Sequence, residues 1–221
     1  MAYGANDPNR VQIGSALASY QDTNFGDECL YGFPSGYVVR QIFDDSETTR
    51  TGFKALVFIN TNTSEVIVAM AGTDGPDSRD WLSDTRLGWD QWSANRASVF
   101  NCLDTLGFTP SKIHFTGQSL GGGLAEYAAY EYLARANPQD RAALRERMSL
   151  VTFNGFGGAT MLSRQLGGAY DSRMLAGLSQ SGAFFVTNDV VSRLGGGHVG
   201  MPSYRLDYRS GNINPDTGQP Y

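Results

Sequence analysis

The sequence predicts an α/β fold: one domain over residues 1–221, with a mostly parallel central sheet and helices on both faces. Three observations predict it. Strand-like apolar runs alternate with helical patterns through the second half, the order that gives parallel strands joined by helical crossovers. No linker, internal repeat or composition shift divides the 221 residues, a length that suits a single α/β domain. Hydrophobic residues make up 41% of the chain and aromatics 12%, enough apolar surface to build a core.

The elements follow in order. Residues 9–22, NRVQIGSALASYQD, carry apolar residues at helical spacing. Residues 29–37, CLYGFPSGY, are rich in turn formers and read as a loop. GYVVRQIFDD and GFKALVFINT read as strands, and NTNTSE, residues 60–65, is a turn signal before the apolar strand SEVIVAMAGT, so the last two strands pair as a hairpin. Residues 74–92 hold all three tryptophans among many charges, and helical spacing runs from Trp89 to Leu106. SKIHFTG, residues 111–117, is a short strand, and residues 119–137 form a helix whose start is packed with small residues. RMSLVTFNG is a strand, GGATMLSRQLGG a short helix, GAFFVTND (182–189) a buried strand, and SYRLDY (203–208) an alternating last strand. The tail GNINPDTGQPY is polar and turn-like.

Composition excludes several functions. The net charge is -5, and the basic residues are nearly all arginine, with Lys54 and Lys112 the two lysines. No basic run or stacked-aromatic motif marks a nucleic-acid binder. No stretch approaches the ~18 apolar residues of a membrane span. The opening MAYGANDPNRVQIG lacks the basic region and apolar core of a signal peptide. The expected setting is the cytosol, export by a route not encoded here, or a domain of a longer secreted protein. Cys29 and Cys102 are the two cysteines; they read as two buried thiols, or as one disulfide in an exported protein. No metal cluster is present, and no metal or organic cofactor is implied.

FTGQSLGGGLAEYAAY, residues 115–130, carries the pattern G-x-S-x-G at Gly117, Ser119 and Gly121. Roughly 0.3 such matches are expected by chance in a chain of this makeup, so the flanks decide. A nucleophile elbow needs a strand, a tight turn and a helix, and IHFTG, QSL and GGGLAEYAAYEYL supply them. The turn strains the serine and requires small neighbours. The helix start then offers N–H groups and partial positive charge to an oxyanion.

A serine hydroxyl needs a base, and the base an orienting acid. Where the order is serine, acid, histidine, His198 is the one histidine after Ser119. The acid is sought just beyond a late buried strand, which favours Asp189 over Asp171. His114 precedes the elbow in its strand and reads as structural.

These residues resemble class 3 lipases, the fungal-type α/β-hydrolases and their bacterial relatives. FTGQSLGGGLA resembles the family's elbow, with Gln118 where a histidine is usual. IVAMAGTDGPDSRDWLSD resembles its strand, oxyanion loop and lid start, with Ala71 where an arginine often stands. VTFNGFGG resembles the next strand and turn, and TNDVVSRLGGGHVGMPSYRLDY the segment carrying the acid. The four blocks span about residues 50–208 in the family's order.

The resemblance implies Ser119 as nucleophile and Asp189 as acid. It also implies an oxyanion hole from Thr73 and the backbone N–H of Leu120, and a lid or pocket rim over residues 74–92. Trp81 is expected over the acyl site or, equally, as a core aromatic; Trp89 and Trp92 are expected to pack a helix face. The implied activity is lipase- or phospholipase-type ester hydrolysis, with an acyl ester or lipid as substrate and transient contact with a lipid interface. An acyltransferase or peptidase with the same elbow, and a lipid-binding or structural domain without its base, are the alternatives.

The base departs from the pattern. In the family a histidine near this place is often not the base, which comes later in the chain, and none follows Tyr208 here. Either the glycines at 195–197 form a flexible turn that returns His198 to Ser119 and Asp189, or His198 is structural and the base is absent.

Overall fold

The computed structural model describes residues 36–45, 48, 51–72, 86–186 and 191–206. Seven strands form one sheet whose spatial order follows the chain: β1 (Tyr37–Asp44), β2 (Lys54–Asn60), β3 (Glu65–Met70), β4 (Lys112–Gln118), β5 (Met148–Phe153), β6 (Gln180–Val186) and β7 (Ser203–Leu206). β1, β2 and β3 pair antiparallel, and β3 to β7 run parallel. Four α-helices are described: α1 (Trp89–Asp104), α2 (Leu120–Arg135), α3 (Arg141–Glu146) and α4 (Ala159–Leu166).

The mostly parallel sheet is therefore the predicted one, and the hairpin is present. Its turn is set by Asn60, whose Oδ1 accepts the N–H groups of Asn62 (2.9 Å) and Thr63 (3.1 Å), the local bond that makes asparagine a turn former. The helix α3 was not anticipated. Its six residues are too few for a 3.6-residue period to show in sequence. The helix expected over residues 9–22 lies outside the described residues.

Sheet alternation sorts the core. Val57, Val66, Val68, Met70, Ile113, Phe115, Met148 and Leu150 join residues of all four helices in one large cluster. The opposite pleat holds a second cluster of Tyr37, Val39, Leu56, Phe58, Ile67 and Ala69. The described helices thus pack on one face. α1 turns Trp89, Trp92, Asn95, Val99, Phe100 and Leu103 inward; the steps 89–92–95–99–103 are of three and four residues and make one stripe. Trp89 meets Tyr127 and Trp92 meets Phe100 edge to face, with centroids 5.3 and 5.4 Å apart, so both tryptophans pack a helix face as expected. α2 is buried over all of its first eleven residues, which makes it the central helix of the domain.

A buried carboxylate joins the sheet edge to α1. Asp45 Oδ1 accepts the Phe53 N–H at 2.9 Å, and its Oδ2 accepts from Thr51 N–H and Asn95 Nδ2 at 3.1 and 3.0 Å. A charge this deep is tolerable because donors surround it.

Candidate active site

β4 ends at Gln118 and α2 begins at Leu120, so Ser119 alone makes the turn between them. Its backbone sits at φ 56°, ψ -126°, a region that costs a non-glycine residue about 1–3 kcal/mol. The surroundings enforce this conformation. A Cβ on Gly117 would strike the Gly121 backbone, one on Gly121 the backbone of Met70 and Ala71, and one on Gly123 the Phe156 ring. A Cβ on Gly122 would lie 2.8 Å from the Gly155 Cα. The helix start is therefore pressed against the ends of β3 and β5 at a distance only glycine permits. The Ser119 N–H donates to the Phe153 carbonyl at 2.9 Å, and the Ser119 carbonyl accepts from Gly122 N–H at 3.0 Å.

Three consequences bear on chemistry. The Ser119 side chain makes no capping hydrogen bond to α2, and the residue is only partly buried. Leu120 is the first residue of α2, where N–H groups lack intrahelical partners and carry the positive end of the helix dipole. Contact of Gly121 with Met70 and Ala71 brings the end of β3 beside that N–H. Thr73, two residues beyond Ala71, lies outside the described residues, as do Trp81, Asp189, Cys29 and residues 74–85 of the expected lid or pocket rim. Cys102 is a half-buried free thiol whose ionisation burial disfavours.

Both histidines are engaged. His114 lies on β4 with Nδ1 2.6 Å from Ser149 Oγ, and burial lowers its pKa below the ordinary imidazole value. His198 has Nδ1 2.8 Å from Glu126 Oε2, with the side chains 6% and 0% exposed. The other carboxylate oxygen of Glu126 accepts Val199 N–H at 2.7 Å. Glu126 is seven residues beyond Ser119, so its backbone stands about 10 Å along α2. Gly155 and Phe156 pack on Gly122 and Gly123 in the interval between them.

The glycine run before His198 has a definite shape. Gly195, Gly196 and Gly197 hold φ values of 78°, 77° and 105°, open to glycine at little cost. Gly195 and Gly197 carbonyls accept the first N–H groups of α4, Thr160 at 3.0 Å and Ala159 at 3.2 Å, while Gly157 N–H donates to Leu194 at 3.1 Å. This run caps α4 and delivers His198 to Glu126. The structure brings together Ser119, Leu120 and the end of β3; it brings His198 to Glu126. Sequence reasoning missed Glu126. The available signal was a lone acid in the apolar run LAEYAA, on a helix already read as central.

A family model for a phospholipase-like domain, the Tle-like phospholipase domain, matches residues 39–161, more than half of the chain. The chain belongs to the Tle-like phospholipase domain family. The matched region of this phospholipase-like domain contains β2, β3, the elbow and the turn after β5. Curated protein sequences yield no match. Among solved structures, a mutant form of MDLA from Penicillium cyclopium superposes with TM-score 0.67 at 19% identity, covering 98% of this chain and 85% of that one. A mono- and diacylglycerol lipase from Aspergillus oryzae gives 0.66 at 18%, covering 98% and 84%. Lipase II from Rhizopus niveus gives 0.61 at 16%, covering 90% and 79%. The Tle-like domain therefore has the α/β-hydrolase fold of fungal lipases. Among the described residues, no group of three or more His, Cys, Asp or Glu could hold a metal, and no helix is long and apolar enough to cross a membrane.

Proposed function

We propose that this Tle-like phospholipase domain is a serine carboxylic-ester hydrolase of lipase or phospholipase type, acting through an acyl-enzyme on Ser119. One observation carries the reading: a strained, partly buried serine at the tip of α2, fixed by glycines that allow no side chain. Strain of this kind persists where the surrounding structure over-determines it, and active sites are where it clusters.

In the proposed reaction Ser119 Oγ attacks the ester carbonyl carbon as a base removes its proton. The carbonyl oxygen becomes an oxyanion held by the N–H groups of Leu120 and Thr73, each donor lowering the barrier by about 3 kcal/mol. The tetrahedral intermediate expels the alcohol, which takes the proton from the conjugate acid of the base. Water then adds to the acyl-enzyme, and its breakdown frees the carboxylic acid and Ser119. Asp189 is proposed as the acid and Trp81 as an acyl-site residue. The substrate is an acyl ester or lipid, consistent with the family.

His198 serves as base in one version of this mechanism. It would have to exchange Glu126 for Asp189 at Nδ1 and present Nε2 to Ser119. Its observed bond to Glu126 favours a second reading, a lipase-like lipid-binding or structural domain that keeps the elbow but lacks its base. Hydrolysis of a short-chain p-nitrophenyl ester separates the two. Turnover by wild type, lost in both Ser119→Ala and His198→Ala, supports the triad with His198. Turnover lost in Ser119→Ala but kept in a folded His198→Ala removes His198 from the chemistry. Wild type no faster than Ser119→Ala supports the second reading.

A further inference from the structure

We propose that Asn154 is a positioning residue that ties the nucleophile turn to the end of the strand leading toward the acid. This rests on the reading of Ser119 as nucleophile and Asp189 as acid. Asn154 follows β5 directly, and its backbone is left-handed at φ 48°. Glycine would take that conformation more readily, although asparagine is among the residues that tolerate it best. Its side chain has a definite task. Oδ1 accepts the N–H of Val186, the last residue of β6, at 2.9 Å. The Asn154 N–H donates to the Phe184 carbonyl at 2.7 Å, and the preceding carbonyl, that of Phe153, accepts the Ser119 N–H at 2.9 Å.

A continuous chain of hydrogen bonds therefore runs from the Ser119 amide through Phe153 and Asn154 to the C-terminal end of β6. Val186 is three residues before Asp189 in sequence. The β5–β6 ladder ends at the pairing of Phe153 with Phe184, so beyond it the Asn154 side chain takes the place of the next strand residue as partner for Val186. Glycine at 154 would keep the turn and lose this anchor. That is a reason for asparagine to hold a position whose backbone suits glycine. The anchor fixes where the chain leaves β6 relative to Ser119, and an error of about 1 Å in such geometry costs up to 100-fold in rate.

The test measures fluorophosphonate labelling of Ser119 and p-nitrophenyl ester turnover in wild type, Asn154→Gly and Asn154→Asp, with thermal melts and amide exchange at Val186. Wild type is expected to label and to protect the Val186 amide. Asn154→Gly should melt with wild type, because relief of the left-handed strain offsets the lost bond, while kcat and labelling rate fall about 10- to 100-fold with KM little changed. Asn154→Asp keeps an acceptor oxygen and the same backbone tolerance, and should restore most of the rate. Equal labelling of wild type and Asn154→Gly overturns the positioning role and leaves Ser119 as nucleophile. An unprotected Val186 amide in wild type overturns it whether or not the glycine variant folds. Failure of wild type to label overturns the Ser119 reading and this inference with it.

Discussion

Ser119 holds a backbone conformation that L side chains avoid, at φ 56°. Replacing it with glycine should remove that strain, raise stability by about 1 kcal/mol, and abolish any ester turnover; denaturant melts beside an ester assay check both. Gly121 presents the reverse case. A methyl there meets the Met70 and Ala71 backbone, so Gly121→Ala should cost about 1–3 kcal/mol by overpacking, measured the same way. His114 gives a pH signature. Burial lowers its folded pKa, so the unfolded chain binds the proton more readily. Its contribution to stability is complete above the unfolded value near 6.5 and is lost progressively as pH falls from there toward the depressed folded value. Melts from pH 8 to 5 should show this slope, and it should flatten in His114→Gln. At this scale the sequence made Ser119 legible because an elbow demands glycine at fixed offsets. Asn154 was not legible, because its left-handed backbone and its bond to Val186 arise from strands more than thirty residues apart.

The elements of the hairpin, α1, α2 and the parallel strands were readable from apolar period and turn residues. α3 escaped because six residues carry less than two helical turns. The glycine run 195–197 was legible as unusual backbone, but its destination was not. Sequence left two readings open, a flexible turn returning His198 to Ser119 or a structural His198; the run caps the start of α4 through the carbonyls of Gly195 and Gly197. Positive φ at all three glycines makes this cap intolerant of side chains. Gly195→Ala, which places a methyl against the Gly157 backbone, should destabilise the fold by about 1–3 kcal/mol, read by denaturant unfolding.

Across the whole molecule, the buried Glu126–His198 pair couples the central helix to the chain between β6 and β7. Removing one partner of a buried hydrogen-bonded pair leaves the other unsatisfied, at about 1–3 kcal/mol. Glu126→Ala should reach that range, while Glu126→Gln keeps groups able to bond Val199 N–H and His198 and should cost less; urea unfolding of the two variants checks the order. The general architecture, a mostly parallel sheet with the serine at a strand-to-helix turn, was visible in the sequence because alternation and glycine spacing are local. The pairing of residues 126 and 198 was not, since it depends on how distant segments pack. The nucleophilic role of Ser119 is probed by mass-spectrometric mapping of a fluorophosphonate adduct on folded wild type and Ser119→Ala. A nucleophilic Ser119 gives one adduct, on Ser119, absent from the variant. Folded wild type that takes no label, or takes it equally in Ser119→Ala, would contradict it.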